Sequence, residues 1–170
     1  MNPAKALGPA ILTFIAYIVF SGSVSSYDLL TGAVIAAVTG VLVSDILVSD
    51  TRKSLDLRRL GWLIAYTIYY LTVAELKSHL AFAPRVLTGR IKPGVVAVRT
   101  TLRTEYGMVT LANSITNTPG TATVDIDTGK GVLYVHWLWV ETEDEEGIRE
   151  KIARPFERFI EHVFEGGGEV

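Results

Sequence analysis

Glu75, Lys77 and His79 form a tight group of ionisable side chains at the end of an apolar stretch. On a helix, Glu75 and His79 are four residues apart and share a face, while Lys77 points elsewhere. Buried together in a membrane protein, a carboxylate and an imidazole would point to function, because ionisable groups at depth are expensive. The plainer alternative is a helix end with an i,i+4 pair solvated among lipid headgroups. The sequence leaves both readings open.

No other residues reach a recognisable chemistry. His79, His136 and His162 lie far apart and match no metal-ligand spacing. Ser114 lacks the flanking glycines of a nucleophile elbow. Asp125 and Asp127 share a strand face, but a solvated acidic face is the simpler reading. Gly129-Lys130-Gly131 is a turn, since no helix follows to make it a phosphate loop. The chain has no cysteine, which excludes disulfides, thiolate metal sites and cysteine nucleophiles. No catalytic residue, metal ligand or cofactor site is assigned. The net charge of −2 argues against a nucleic-acid partner.

The elements that carry these residues begin with Leu29–Val48. This run holds no Lys, Arg, Glu, His or Pro, and its only charge, Asp45, lies near its end. Twenty helical residues rise about 30 Å, the thickness of a bilayer's hydrocarbon core. Residues 4–20 form an earlier apolar segment. A cleaved signal peptide would leave the mature chain starting just before a second span, so a helical hairpin with a polar turn at Ser21–Asp28 is expected. Along the second span Gly32, Ala36 and Gly40 recur every four residues. Such a smooth stripe lets helix backbones approach closely, against the first span or a partner subunit.

A third apolar helix is expected over 60–83. Its uncharged part, Leu60–Ala74, rises only about 22 Å. Basic residues stand on both sides of it: Arg52, Lys53, Arg58 and Arg59 before, and Arg85, Arg90, Lys92, Arg99 and Arg103 after. Positive-inside reasoning places both flanks in the cytoplasm, which one crossing cannot satisfy. The helix either lies along the interface, which Trp62, Tyr66, Tyr69 and Tyr70 would suit, or spans with its charges covered by protein.

The remainder reads as a soluble α/β part. Pro84 and Pro93–Gly94 mark the exit from the apolar region. Val95–Val98 is a short strand. Glu105–Ile115 is an amphipathic helix with Thr104 as N-cap. Thr121–Asp127 alternates with Ala122, Val124 and Ile126 on one side; a turn at 128–131 leads into a returning strand, Val132–Val140. The last helix carries Ile148, Ile152, Phe156, Phe159 and Val163 on one face, with Pro155 expected to kink or split it. The expected architecture is a membrane α-helical region, 1–83, with spans at 4–20 and 29–48 and a third apolar helix. It is joined to a small cytoplasmic α/β sandwich, 84–165, and a disordered tail, 166–170.

One stretch is more specific than turn chemistry. Leu111-Ala112-Asn113-Ser114-Ile115-Thr116-Asn117-Thr118-Pro119-Gly120-Thr121, followed by Val124-Asp125-Ile126-Asp127 and Leu133-Tyr134-Val135-His136-Trp137, resembles the E-type chain of Mrp-type (Mnh) multisubunit Na+/H+ antiporters. The likeness extends to the apolar hairpin, the third apolar helix, the Arg90-Ile91-Lys92-Pro93-Gly94 lead-in and the terminal helix. It implies an accessory or assembly subunit, without catalysis or cofactor of its own. Its partners would be the other subunits of such an antiporter, or of the related module in archaeal membrane-bound hydrogenase-type complexes, and membrane lipid. No catalytic residue transfers with the resemblance. Asn113, Thr116, Thr118, Pro119 and Gly120 are expected to be structural, their amide and hydroxyls tying down the turn before the next strand. The alternative function is direct participation in the ion path through Glu75 and His79.

Overall fold

The computed structural model describes residues 3–48 and 56–166. The chain divides into two compact units, Met1–Leu57 and Arg58–Val170. The loop with Arg52 and Lys53, and the tail from 167 onward, lie outside the described residues.

The first unit is a pair of helices, α1 (Pro3–Ser21) and α2 (Ser26–Leu47). Among the described residues α2 is the one helix long and apolar enough to cross a membrane, over Ser26–Ile46; the apolar stretch of α1, Lys5–Ser21, is shorter. The turn between them is built as the sequence expects. Ser25 caps α2, and the Ser23 and Ser25 hydroxyls both donate to Asp28, at 2.5 and 2.6 Å. At the other end Lys5 and Asp45 form an ion pair at 3.5 Å. Leu12, Val19, Leu30, Val34, Leu42 and Ile46 leave their side chains exposed on the outside of the pair.

The second unit starts with the third apolar helix, longer than expected. It runs as α3 (Leu57–Tyr69), a π-helical turn (Tyr70–Ala74) and α4 (Glu75–Thr88). Pro84 does not end it; the helix continues until Gly89, whose φ of +65° is the left-handed closure that glycine adopts freely. This helix packs with the α/β elements and shares their compact unit. The reason is aromatic. Trp62, Tyr66, Tyr69 and Tyr70 turn towards the C-terminal helix instead of standing free for an interface: Tyr69 stacks on Phe159 at 4.9 Å between ring centroids, and Tyr70 lies 6.1 Å from Phe156.

The α/β elements are β1 (Gly94–Arg99), α5 (Glu105–Asn117), β2 (Thr121–Asp127), β3 (Val132–Trp137), α6 (Glu145–Ile152), α7 (Arg154–Ile160) and a closing π-helical turn (Glu161–Glu165). Strand order is β1-β3-β2, with β3 antiparallel to both neighbours. The helices bury their apolar stripes on one face of this sheet. Val98, Leu111, Ile115, Leu133, Val135 and Ile160 are wholly buried there, each worth roughly 1.5–3 kcal/mol of transfer free energy. Pro155 splits the last helix, starting α7 at a position where its missing N–H is harmless.

The alternation expected of β2 fails in one place. Thr123 pairs with Val135 but Asp125 pairs with Tyr134, so Val124 is an extra residue in a bulge. Before the bulge it is Thr121 and Thr123, not Ala122 and Val124, that face the helices. Ile126 returns to the core side opposite Leu133, while Val124 is exposed.

Candidate functional site

The chemistry of the 113–121 stretch is a set of hydroxyls placed on carbonyls near the C-terminal end of α5, that of Ile115 lying in its last turn. Helix termini always leave such carbonyls unpaired. Thr118 and Thr121 both donate to the Ile115 carbonyl, at 2.9 and 2.7 Å, and their hydroxyls lie 3.2 Å apart. Thr123 donates to the Ala112 carbonyl at 3.2 Å. The Thr116 hydroxyl accepts from the Thr123 backbone N–H at 3.0 Å. Helix α5 and strand β2 are thereby stitched together across Pro119–Gly120. Gly120 turns with φ +96°, and a Cβ there would stand 3.2 Å from the Phe82 ring.

Asn113 does not take the expected part. It is exposed and its side chain makes no hydrogen bond to another described residue, because the buried stripe of α5 is Gly107, Met108, Leu111, Ala112, Ser114 and Ile115. Thr121 and Thr123 perform the work assigned to it. The bulge at Val124 hid them, since strict alternation puts both on the outer face.

Glu75 opens α4 directly after the π-helical turn. Its Oε2 lies 3.4 Å from His79 Nδ1, and the same nitrogen sits 2.8 Å from the Glu75 carbonyl oxygen. The pair thus shares a face, with the Glu75 side chain 24% exposed and that of His79 65%. The Tyr70 hydroxyl at the start of the π-helical turn is buried, with no well-formed hydrogen bond among the described residues but with the Glu75 carboxylate and the Asn117 side chain near enough to act on it. Deeper in the unit, the Tyr66 and Ser114 hydroxyls are bonded to each other, joining α3 to α5.

Gly32, Ala36 and Gly40 lie on the α2 face turned to α1. A Cβ on Gly40 would fall 2.7 Å from the Ala6 carbonyl oxygen and 2.8 Å from the Ala10 Cβ; one on Gly32 would fall 2.7 Å from the Tyr17 ring. Ala36 is buried.

Two carboxylates that the sequence did not single out hold the second unit together. Glu157 is 1% exposed; its Oε2 accepts from Arg149 at 3.1 Å and its Oε1 from the Thr101 N–H at 3.3 Å. Glu165 Oε1 accepts from the backbone N–H groups of Arg103 and Thr104, at 2.8 and 2.9 Å, and from the Thr104 hydroxyl at 3.0 Å. Partial burial pushes the Glu165 carboxyl up, but these donors and the Arg103 charge together hold it below its ordinary range. At the β2–β3 turn, hydrogen bonds from Lys130 hold the Asp127 carboxyl low.

A concavity of this unit lies where α4 faces the 118–121 turn and the end of β3. It has a volume of about 310 Å³. Lys77, Ser78 and Arg85 line it from α4, with Trp137, Trp139, Glu141 and Lys151 opposite. No group of three or more His, Asp or Glu side chains placed to hold a metal occurs among the described residues.

This arrangement of hairpin, aromatic third helix and stitched α/β sheet has clear relatives. A family model described as "Na+/H+ ion antiporter subunit" (MNHE) matches residues 10–163. The E-type chain of the Na+/H+ antiporter of Alkalihalophilus pseudofirmus is 31% identical over 146 residues, covering 85% of this chain and 88% of that protein. Its counterpart in Bacillus subtilis is 31% identical over 111 residues, spanning 65% of this chain and 66% of that one. Among solved structures, a chain of the membrane-bound sulfane sulfur reductase, an archaeal respiratory membrane complex, superposes with a TM-score of 0.81 at 34% identity, over 95% of this chain and 99% of that one. The chain belongs to the MNHE family of Na+/H+ ion antiporter subunits.

Proposed function

We propose that this chain is a non-catalytic accessory and assembly subunit of a multisubunit monovalent cation (Na+)/proton antiporter, or of the Mrp-like antiporter module of a respiratory membrane complex. Its partners are the other subunits of that complex. The observation that carries the reading is where the charges of the hairpin stand. Lys5 and Asp45 are paired at one end, Asp28 is capped at the other, and 6–27 and 29–44 hold no charge at all. A helix pair built this way has no intramembrane carboxylate to pass an ion along. Both helices cross the membrane in this proposal. The 19 residues of α1 rise about 28 Å, enough for a bilayer core.

Residues 94–170 then face the cytoplasm, on the basic content of Arg52–Arg59 and Arg85–Arg103. Single cysteines at Asp127 and Lys130, on the exposed β2–β3 turn, should resist a membrane-impermeant thiol reagent in intact cells. Ready labelling would reverse this topology.

A second reading, in which Glu75 and His79 take part in the ion path, draws on the π-helical turn just before Glu75. Such turns are rare and recur at functional sites. Na+-dependent proton flux in reconstituted vesicles, normalised to assembled complex, separates the two. The accessory role expects Glu75→Gln to retain most of the flux. Loss of flux with normal assembly would transfer this chain to the ion path.

A further inference from the structure

We infer that the cleft between α4 and the end of β3 is a binding site for a phosphate group, carried by an anionic lipid headgroup or free in solution. Three cations and one carboxylate line it: Lys77, Arg85, Lys151 and Glu141. Its net charge is therefore about +2, within a unit, 58–170, that holds thirteen basic and fourteen acidic residues. A cleft of charge +2 in a unit of nearly balanced charge is a local concentration of cations.

The cations are not equally free. Arg85 donates to Glu141 at 2.9 Å, its guanidinium 5.3 Å from the Trp139 ring centroid. Lys151 reaches the other oxygen of Glu141, at 2.5 Å. One carboxylate thus holds two cations in place, and Lys77 has no ion-pair partner among the described residues. A guanidinium and an ammonium held by one carboxylate, beside a further ammonium with no such tie, can present several donors to a phosphate, with its several acceptor oxygens. The surroundings favour the lipid source. The helix that carries Lys77 and Arg85 also exposes Leu76, Leu80, Val86 and Leu87, an apolar surface beside a charged one. Tryptophan, here Trp139, belongs at headgroup level.

The test is calorimetric titration of the full chain in mild detergent with dioctanoyl phosphatidylglycerol, dioctanoyl phosphatidylcholine and inorganic phosphate in turn. Saturable binding of phosphatidylglycerol, well above that of phosphatidylcholine, is expected. Lys77→Gln should weaken it about five-fold, and adding Lys151→Gln by a similar factor. Glu141→Gln should tighten it, because the cleft gains a charge; misfolding would not produce that sign. Inorganic phosphate binding with the same variant pattern, as tightly as the lipid, would identify the source as soluble phosphate. Equal binding of the two lipids, or indifference to Lys77→Gln and Glu141→Gln, would overturn the inference.

Discussion

The two units of this chain hold themselves together by opposite means. In the α1–α2 pair the contact surface is made of what is missing: Gly32, Ala36 and Gly40 let α2 lie against Ala6, Ala10 and Tyr17 with no room for a further carbon. The bulky residues face outward. In the second unit the bulky residues face inward and polar groups lock them in register, through Glu157, Glu165 and the threonines around Pro119. The difference is the one that the proposed placement, hairpin in lipid and second unit in water, would require. Lipid gives no hydrophobic push between helices, so close backbone approach must supply the contact. Water drives large side chains into a core, and each polar group buried with them must then be paired. A size change should therefore damage the first unit most, and a lost hydrogen-bond partner the second.

The largest effect is expected at Glu157. Glu157→Ala removes a buried carboxylate and strands Arg149 and the Thr101 N–H. Breaking one side of a buried ion pair costs about 3–5 kcal/mol. Denaturant unfolding of the full chain, followed through α/β-domain signals, should register it. A loss below about 1 kcal/mol would mean that water reaches Arg149 and that the second unit depends little on its polar ties.

Gly40→Leu comes next, and tests the other side of the comparison. The substitution must push α1 and α2 apart, with an overpacking cost of about 1–3 kcal/mol. Thermal stability of the chain in detergent, and yield of assembled complex, should both fall. Leu42→Ile, on the exposed side of the same helix, should change neither. Equal tolerance of both would mean that α1 and α2 are not closely packed along this stripe.

Thr121→Val keeps the shape of the side chain and deletes one donor to the Ile115 carbonyl. Thr118 still donates to that carbonyl, so the loss is that of one hydrogen bond, about 0.5–1.5 kcal/mol. Asn113→Ala, eight residues earlier in the same motif, should stay within about 0.5 kcal/mol, because its side chain is exposed and unbonded. The contrast shows how far the sequence could be read. Caps, turns and helical stripes are local, so Thr104, the β2–β3 turn and the Ile148–Val163 face could be placed from neighbouring residues alone. Which side of β2 meets the helices depends on a bulge, and a bulge is fixed by pairing with β3 and by the fit to α5. One inserted residue reverses every side chain on its N-terminal side. The aromatic residues of α3 present the same difficulty. Trp62, Tyr66, Tyr69 and Tyr70 are as apt for a membrane interface as for a protein one, and only Phe156 and Phe159, some ninety residues later, decide between them. Lys77 could be recognised as the charge left off the Glu75–His79 face. That it shares a cleft with Arg85 and Lys151 could not.

The smallest effect concerns Glu165 and pH. Its carboxylate closes the chain end onto the N-terminus of α5, accepting three hydrogen bonds at a place where the helix dipole also favours negative charge. Its pKa in the folded chain lies below the ordinary glutamate value of about 4.3. The charged form is thus the one the fold prefers. The sign follows from linkage: this stabilisation is fully present above the unfolded pKa and is lost as pH falls through the folded one. Between neutral pH and about pH 5 the contribution should hardly change; below about pH 4.3 it should decline. Glu165→Gln retains an acceptor oxygen but carries no charge, so it should lower the melting temperature at pH 7 and flatten its acid limb. The α1–α2 pair offers the internal control. Asp45 is two-thirds exposed beside Lys5, and an exposed pair contributes little. Asp45→Asn should leave the melting temperature at pH 7 unchanged. If instead Asp45→Asn lowers it and Glu165→Gln does not, the carboxylate that matters resides in the hairpin, and the division of labour between the two units is the wrong way round.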